Sequence, residues 1–323
     1  MRTVATSSPE PSSTASAAAS PPPTPAVSPS SSAPPAGRVT ATIPVGTGPF
    51  YLAAGGGSVW VPNLGDGTVS RIDPLTNRVV ATIRTGGVTN TSFGAPSAVI
   101  AGPSGIWVTQ NAEGAVAKID PGSNSIVATI RIGVEPYALA LDGTTLWAAS
   151  FAAGQVVRVD LPSAAVVARI ALPKPTSIAV TPGAIWVALN LDDQVARIDP
   201  RTNAVVARIA VGSGIDRPEV IAAGAGALWV AMTYADTVVR IDPATNTVTA
   251  RISVARQAFG VAVDGRGVWV ASGSGVLSRI DPSSNAVVGV SAVGLGSFAV
   301  ASGEGAVWVA NKEVNTVSRI DSP

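Results

Sequence analysis

Seven tryptophans (Trp60, Trp107, Trp147, Trp186, Trp229, Trp269 and Trp308) recur at spacings of 47, 40, 39, 43, 40 and 39 residues. Each is followed, 11 residues later in six units and 10 in the sixth, by a basic–aliphatic–acidic triplet. The triplets run from Arg71-Ile72-Asp73 through Lys118-Ile119-Asp120 to Arg319-Ile320-Asp321. Self-similarity at a period of about forty residues marks a repeat architecture, in which each unit buries its apolar faces against its neighbours. Within the second unit, Ser97 to Ala101 reads as a short apolar strand and Gly105 to Thr109 carries the tryptophan. Ala115 to Asp120 ends in the triplet, and Ser125 to Ile132 is rich in Val and Ile. Pro121-Gly122-Ser123-Asn124 supplies turn residues between the last two. No segment shows the 3.6-residue apolar period of a helix. Four strands, called a to d below, in each of seven units predict an all-β, seven-bladed β-propeller with four-stranded antiparallel blades.

The two ends predict how the ring closes. The seventh unit runs out after its third strand, whereas Gly37 to Gly46 matches the fourth strand of the first unit, Asn77 to Gly86. That spare strand is expected to complete the last blade and leave the ring without an open edge. The propeller is therefore assigned to residues 37–323. Residues 1–36, almost wholly Ser, Thr, Ala and Pro, are expected to be a disordered tail or linker, since they offer too little apolar area to offset ordering. A Ser/Thr/Pro-rich stalk suggests an extracytoplasmic or secreted setting. The sequence as given shows no signal peptide and no transmembrane segment.

Composition narrows the chemistry. The chain has no His and no Cys, and 21 basic residues stand against 20 acidic ones. Ser-His-Asp and Cys-His catalysis are thereby excluded, as are disulfides and thiolate metal sites. The near-balanced charge gives no footprint for nucleic acid. No cofactor is expected, and a monomer is.

Trp308-Val309-Ala310-Asn311 with Arg319-Ile320-Asp321, and Trp60-Val61-Pro62-Asn63 with Ile72-Asp73-Pro74-Leu75-Thr76-Asn77, resemble repeats of the YVTN family of bacterial β-propellers. That family is related to the streptogramin-lyase-like propellers. The resemblance covers residues 37–323 and implies the propeller fold. It does not imply lyase activity, because those lyases rely on histidines. The fold hosts lyases, cofactor-binding subunits and interaction modules alike.

Positions that break the repeat carry the functional expectations. Ten residues before each Trp stand Phe50, Ser97, Tyr137, Thr176, Glu219, Phe259 and Phe298, where the innermost strand enters the mouth of the central channel. Phe50, Tyr51, Phe93, Tyr137, Phe259 and Phe298 fall at or near d–a connections, and Phe151 and Tyr234 in b–c loops. In a four-stranded blade both connection types emerge on one face. These rings either plug the channel mouth or form a binding surface for a protein partner or small ligand. The candidate binding set is Phe50, Tyr51, Tyr137, Phe151, Lys174, Arg217, Glu219, Tyr234, Phe259 and Phe298. The alternative is a metal-dependent hydrolase or lyase using Glu135, Asp216 and Glu219 with a divalent ion. Nucleic acid is disfavoured, because the mouth mixes Lys174, Arg217 and Arg256 with those three carboxylates. The repeated Trp is read as packing between blades. The Arg and Asp of each triplet, on one face of strand c, are read as an ion pair and turn cap.

Overall fold

The computed structural model describes residues 33–86 and 95–321. Among the described residues every regular element is a strand, and the strands form seven antiparallel sheets of four. Blade one is Ala53–Gly55, Ser58–Asn63, Thr68–Asp73 and Arg78–Arg84, in spatial order a to d. Blade two follows with Val99–Gly102, Gly105–Gln110, Ala115–Asp120 and Ser125–Arg131, close to the boundaries expected from sequence. Blade seven takes Ser297–Gly303, Ala306–Asn311 and Thr316–Asp321 from the end of the chain and Arg38–Pro44 from the beginning. In that last pair Arg38 faces Asp321 and Pro44 faces Thr316, so the ring closes as the duplicated strand predicts.

The seven tryptophans lie in strand b between blades. Six have no solvent exposure and Trp107 retains 4%. Truncating a buried tryptophan to alanine typically costs about 3–5 kcal/mol. Their indole N–H groups mostly donate to the end of strand a of the same blade, as from Trp60 to the Gly55 carbonyl at 3.0 Å and from Trp308 to Gly303 at 3.0 Å.

The triplet arginine does something that strand geometry alone does not reveal. In five blades it stands directly opposite the Trp, with its guanidinium over the indole and reaching into the next blade. Arg240 sits 5.2 Å from the Trp229 ring centre and donates to the Pro282 carbonyl at 2.9 Å and to Asn285 Oδ1 at 2.8 Å. Arg71 bonds Asn124, Arg158 bonds Asn203, Arg197 bonds Asn246, and Arg319 bonds Asn77 across the closing seam, all within 3.1 Å. The expected ion pair within each triplet forms only at Arg319–Asp321 (2.9 Å) among the described residues. The Asp instead caps its own turn. Asp73 accepts from the Leu75 backbone N–H at 2.9 Å and from the Thr76 hydroxyl at 2.8 Å, and these bonds hold its carboxyl below the usual range.

Two seams lack this fastening, and each lacks it for a visible reason. Blade three carries Ala164 where its fellows have Asn, still at a positive φ of 53°, and the residue facing it from blade two is Lys118. Arg279 of blade six faces blade seven, whose outer strand comes from the other end of the chain, so no c–d turn stands opposite. Its Nε is buried without a hydrogen bond. Lys118 and Arg279 both sit 5.9 Å from their indoles, against 5.1–5.4 Å for the five fastened arginines.

The seam between blades six and seven is instead bridged by the N-terminal segment. The outer strand of blade six, Ala286–Ala292, departs from the repeat at Gly289, Val290 and Ser291, where the other d strands carry Ala, then Thr or Arg, then Ile. Residues 34–37 lie along this stretch. The Val290 N–H donates to the Pro34 carbonyl at 2.9 Å, the Ala36 N–H to the Val290 carbonyl at 3.2 Å, and the Ser291 hydroxyl to the Gly37 carbonyl at 2.6 Å. A Cβ on Gly289 would stand 2.7 Å from Ala36 Cα, so the glycine is required by close approach. Ala36 is fully buried among Trp269, Leu277, Val300 and Val307. It fills space that a branched aliphatic side chain at position 291 does not occupy here. The expected tail of residues 1–36 thus divides: 1–32 lie outside the described residues, and 33–36 belong to the packed ring.

Two outcomes follow for stability. Arg240→Lys should cost about 1–3 kcal/mol in denaturant unfolding, because lysine reproduces neither the stacked plane nor the forked donors. Arg279→Lys, with no turn to lose, should cost clearly less; equal losses would remove the neighbouring turn from the account. Shortening the chain to 38–323 should lower the melting temperature relative to 33–323 by loss of the Ala36 contact and four hydrogen bonds. Identical melting curves would show that residues 33–37 fasten nothing.

Candidate functional site

The seven positions ten residues before each Trp converge on the channel, as expected, but they behave in two ways. Ser97 and Thr176 are small and turn to backbone, with Ser97 Oγ donating to the Tyr137 carbonyl at 3.0 Å and Thr176 Oγ1 to the Pro218 carbonyl at 3.2 Å. The five larger side chains then reach across the space left by blades two and four. Phe259 stacks on Phe298 (4.8 Å, 27°) and Phe298 on Phe50 (4.1 Å, 23°). Phe50 meets Tyr137 edge-on at 5.9 Å, and the Tyr137 hydroxyl donates to Glu219 at 2.9 Å. Tyr51 packs edge-on against Phe50, Tyr137 and Phe298. Phe50 and Tyr137 are buried, and Phe259 and Phe298 are half-buried. The rings therefore close the channel and also wall an open cavity of about 270 Å³, lined by Phe50, Leu64, Ser97, Tyr137, Glu219, Phe259, Phe298 and Lys312.

The remaining candidates lie outside that cavity. Phe151 touches Tyr137 at 6.2 Å with the Lys174 ammonium 4.9 Å from its ring centre. Arg217 lies over Tyr234 at 5.0 Å, in a second cleft of about 270 Å³ with Leu191, Gly214 and Ile215. Phe93 falls outside the described residues. The structure does not assemble the alternative metal set. Glu135 is exposed beside Asn111, and Asp216 accepts from the Ser213 backbone and hydroxyl at 3.0 and 3.2 Å. Glu219 is engaged by Tyr137 and Asn190. Among the described residues no three acidic side chains meet in a metal-holding group.

Lys312, Asn190 and Leu64 are the site residues that sequence reasoning missed. All three stand four residues after a Trp, in the b–c loops of blades seven, four and one. That column reads Leu64, Asn111, Phe151, Asn190, Thr233, Gly273 and Lys312, as variable as the column that was read. Asn190 Nδ2 donates to Glu219 Oε2 at 3.0 Å. Lys312 Nζ lies 5.0 Å from the Phe50 ring centre and 5.7 Å from that of Phe298.

Electrostatically the centre of the site is Glu219. Burial raises its carboxyl from 4.5 to about 7, against the opposing effects of the Tyr137 hydrogen bond and the Arg217 charge. Burial, joined by the Glu219 charge, also pushes the Tyr137 and Tyr51 hydroxyls well above their usual range, so both stay neutral. A carboxyl whose folded value exceeds its unfolded one binds more protons in the folded state. Glu219 therefore stabilises the fold more at low pH and loses that contribution as pH rises from about 4.5 to about 7. The upper bound on the change is roughly 3 kcal/mol. The unfolding free energy should decline across that window in the native protein, and Glu219→Gln should flatten the decline. A slope unchanged by the substitution would place the titration elsewhere.

No family model matches the sequence, including any for the YVTN repeats it resembles, and no curated protein sequence matches it. Solved structures do match in fold. A streptogramin B lyase aligns with a TM-score of 0.73 at 17% identity, covering 86% of this chain and 94% of the lyase. The Kuenenia stuttgartiensis hydrazine synthase aligns with a TM-score of 0.70 at 16% identity, covering 85% and 96%. At such identities the likeness extends to architecture and no further. This chain is a seven-bladed β-propeller, similar in fold to the streptogramin B lyase.

Proposed function

We propose that the protein is a non-catalytic binding propeller, which recognises a protein partner or small ligand through the aromatic-walled mouth of its channel. The observation that carries this reading is the cavity itself, a concave apolar wall of stacked rings with one carboxylate and one ammonium opening into it. Pockets that combine aromatic walls with a few fixed polar groups are the usual form of a ligand site. The absence of His and Cys from the sequence removes the commonest nucleophile–base pairs. The Ser/Thr/Pro-rich N-terminal composition supports display outside the cytoplasm on a spacer.

One observation favours an enzymatic reading. A carboxyl titrating near neutrality and hydrogen-bonded to a tyrosine has the properties of a general acid or base. Two sets of variants separate the readings, with the native propeller as bait in a pull-down and in ligand capture from extracts. Phe259→Ala alone, and Tyr137, Phe259 and Phe298 changed together to Ala, should fold and lose captured material by tenfold or more, since aromatic anchors carry most of the energy of an interface. Glu135→Gln with Asp216→Asn, both outside the cavity, should leave capture unchanged. Full capture by a folded Phe259→Ala and triple-Ala variant would move the function away from the mouth. Turnover of a captured ligand by the native propeller that is lost in Glu219→Gln would establish the enzyme instead.

A further inference from the structure

Two opposite charges face the mouth cavity, and neither has an ionic partner. Glu219 and Lys312 both line the void, yet no ion pair joins them or involves either among the described residues. Glu219 accepts one hydrogen bond on each oxygen, from Tyr137 and Asn190, which leaves further lone pairs toward the cavity. Arg217, the cation that acts on Glu219, is itself laid over Tyr234 in the neighbouring cleft. Lys312 Nζ rests on the faces of Phe50 and Phe298 and donates to no protein acceptor among the described residues. A chain that had only to seal its channel could bring the two charges together or replace both with apolar groups. Here they line one cavity without pairing, with a stack of three phenylalanines beside them.

Resting on the binding reading above, we propose that the mouth cavity takes a small organic zwitterion of the amino-carboxylate class. Its ammonium lies against Glu219, its carboxylate against Lys312, and its apolar stem against Phe50, Phe298 and Phe259. Selectivity comes from repulsion as much as attraction. An amine without a carboxylate meets Lys312, a carboxylate without an amine meets Glu219, and a neutral apolar molecule leaves both charges unsatisfied in a partly dry site. The cavity of about 270 Å³, a little below the usual range for drug-sized ligands, suits a small molecule. Proton linkage adds a signature. The groups facing Glu219 are the neutral Tyr137 and Tyr51, Asn190, Arg217, and Lys312 across the cavity. The carboxyl that titrates about 7 must be ionised to hold an ammonium, so binding strengthens as pH rises through neutrality.

The test uses ω-amino carboxylates from two to eight carbons, with the alkylamine and the alkyl carboxylate of the same carbon number as single-charge controls. Binding to the full chain is followed by calorimetry and ligand-observed NMR. At pH 8 one chain length should bind at least about tenfold more tightly than both of its controls. Glu219→Gln and Lys312→Gln should each remove that advantage while the melting temperature shows the protein folded. Lowering the pH to 5.5 should weaken the zwitterion on the native protein and leave it unchanged on Glu219→Gln. Controls that bind as tightly as the zwitterion, or an advantage that survives either substitution, would overturn the proposal. If no probe binds while Phe259→Ala still loses a captured partner, the zwitterion is wrong and the binding mouth stands. If no probe binds and the aromatic variants capture normally, both fall.

Discussion

The fold depends on one contact made between blades, a guanidinium laid on the tryptophan of its own blade that donates to the turn of the next. Hydrophobic packing of tryptophans alone is non-directional and would tolerate sliding of one sheet over another. The forked donors of arginine fix the register of the seam, because a backbone carbonyl and an asparagine Oδ1 must both be met. The asparagine answers a second need at the same position. It adopts a positive φ, between 53° and 58° in the five fastened turns, which most other residues adopt only with strain. Five seams are built in this way. At the sixth, lysine and alanine replace both partners at once. At the seventh the covalent chain substitutes, with residues 34–37 on blade six continuing directly into the outer strand of blade seven.

Fastening at the outer turns frees the inner strands. The channel end of each blade has its backbone set by the sheet, while the side chains ten residues before and four residues after the tryptophan are free to vary. The ring can then hold phenylalanines, a tyrosine and a glutamate on one channel without loss of repeat geometry. Stacking among Phe259, Phe298 and Phe50 leaves a wall on one side, and the Tyr137–Glu219–Asn190 bonds fix the carboxylate. Desolvation of that carboxylate without an ion pair to offset it is a standing cost, of the kind that functional sites retain and structural cores discard.

Blade number, strand order and ring closure were legible in the sequence because each rests on local pattern: the tryptophan period, the turn residues and a duplicated outer strand. The role of Arg was not. Positions i and i+2 on one strand face suggest a pair with Asp, and the true asparagine partner lies 45 to 53 residues away in four seams, or at the opposite end of the chain for Arg319. The joint departure of Lys118 and Ala164 was the available clue. The aromatic half of the site was readable from repeat-breaking positions. Lys312 and Asn190 were not, because they sit in the b–c column, where only the aromatic members Phe151 and the neighbouring Tyr234 drew notice. Burial of Ala36 was invisible in a Ser/Thr/Ala/Pro-rich stretch, although Gly289 and Ser291 mark the groove it occupies.

A carboxylate is held, without an ion pair and poorly solvated, at the mouth of a ring whose seams are fastened elsewhere. The most direct test is a carbon-detected NMR titration of the Glu219 side-chain carboxyl in the full chain, assigned by its loss in Glu219→Gln. A midpoint of about 7 is the expected result, well above the ordinary glutamate value of 4.5. A midpoint in the ordinary glutamate range would contradict it, since the carboxylate would then be solvated or paired and the mouth would have no unsatisfied charge to offer a ligand.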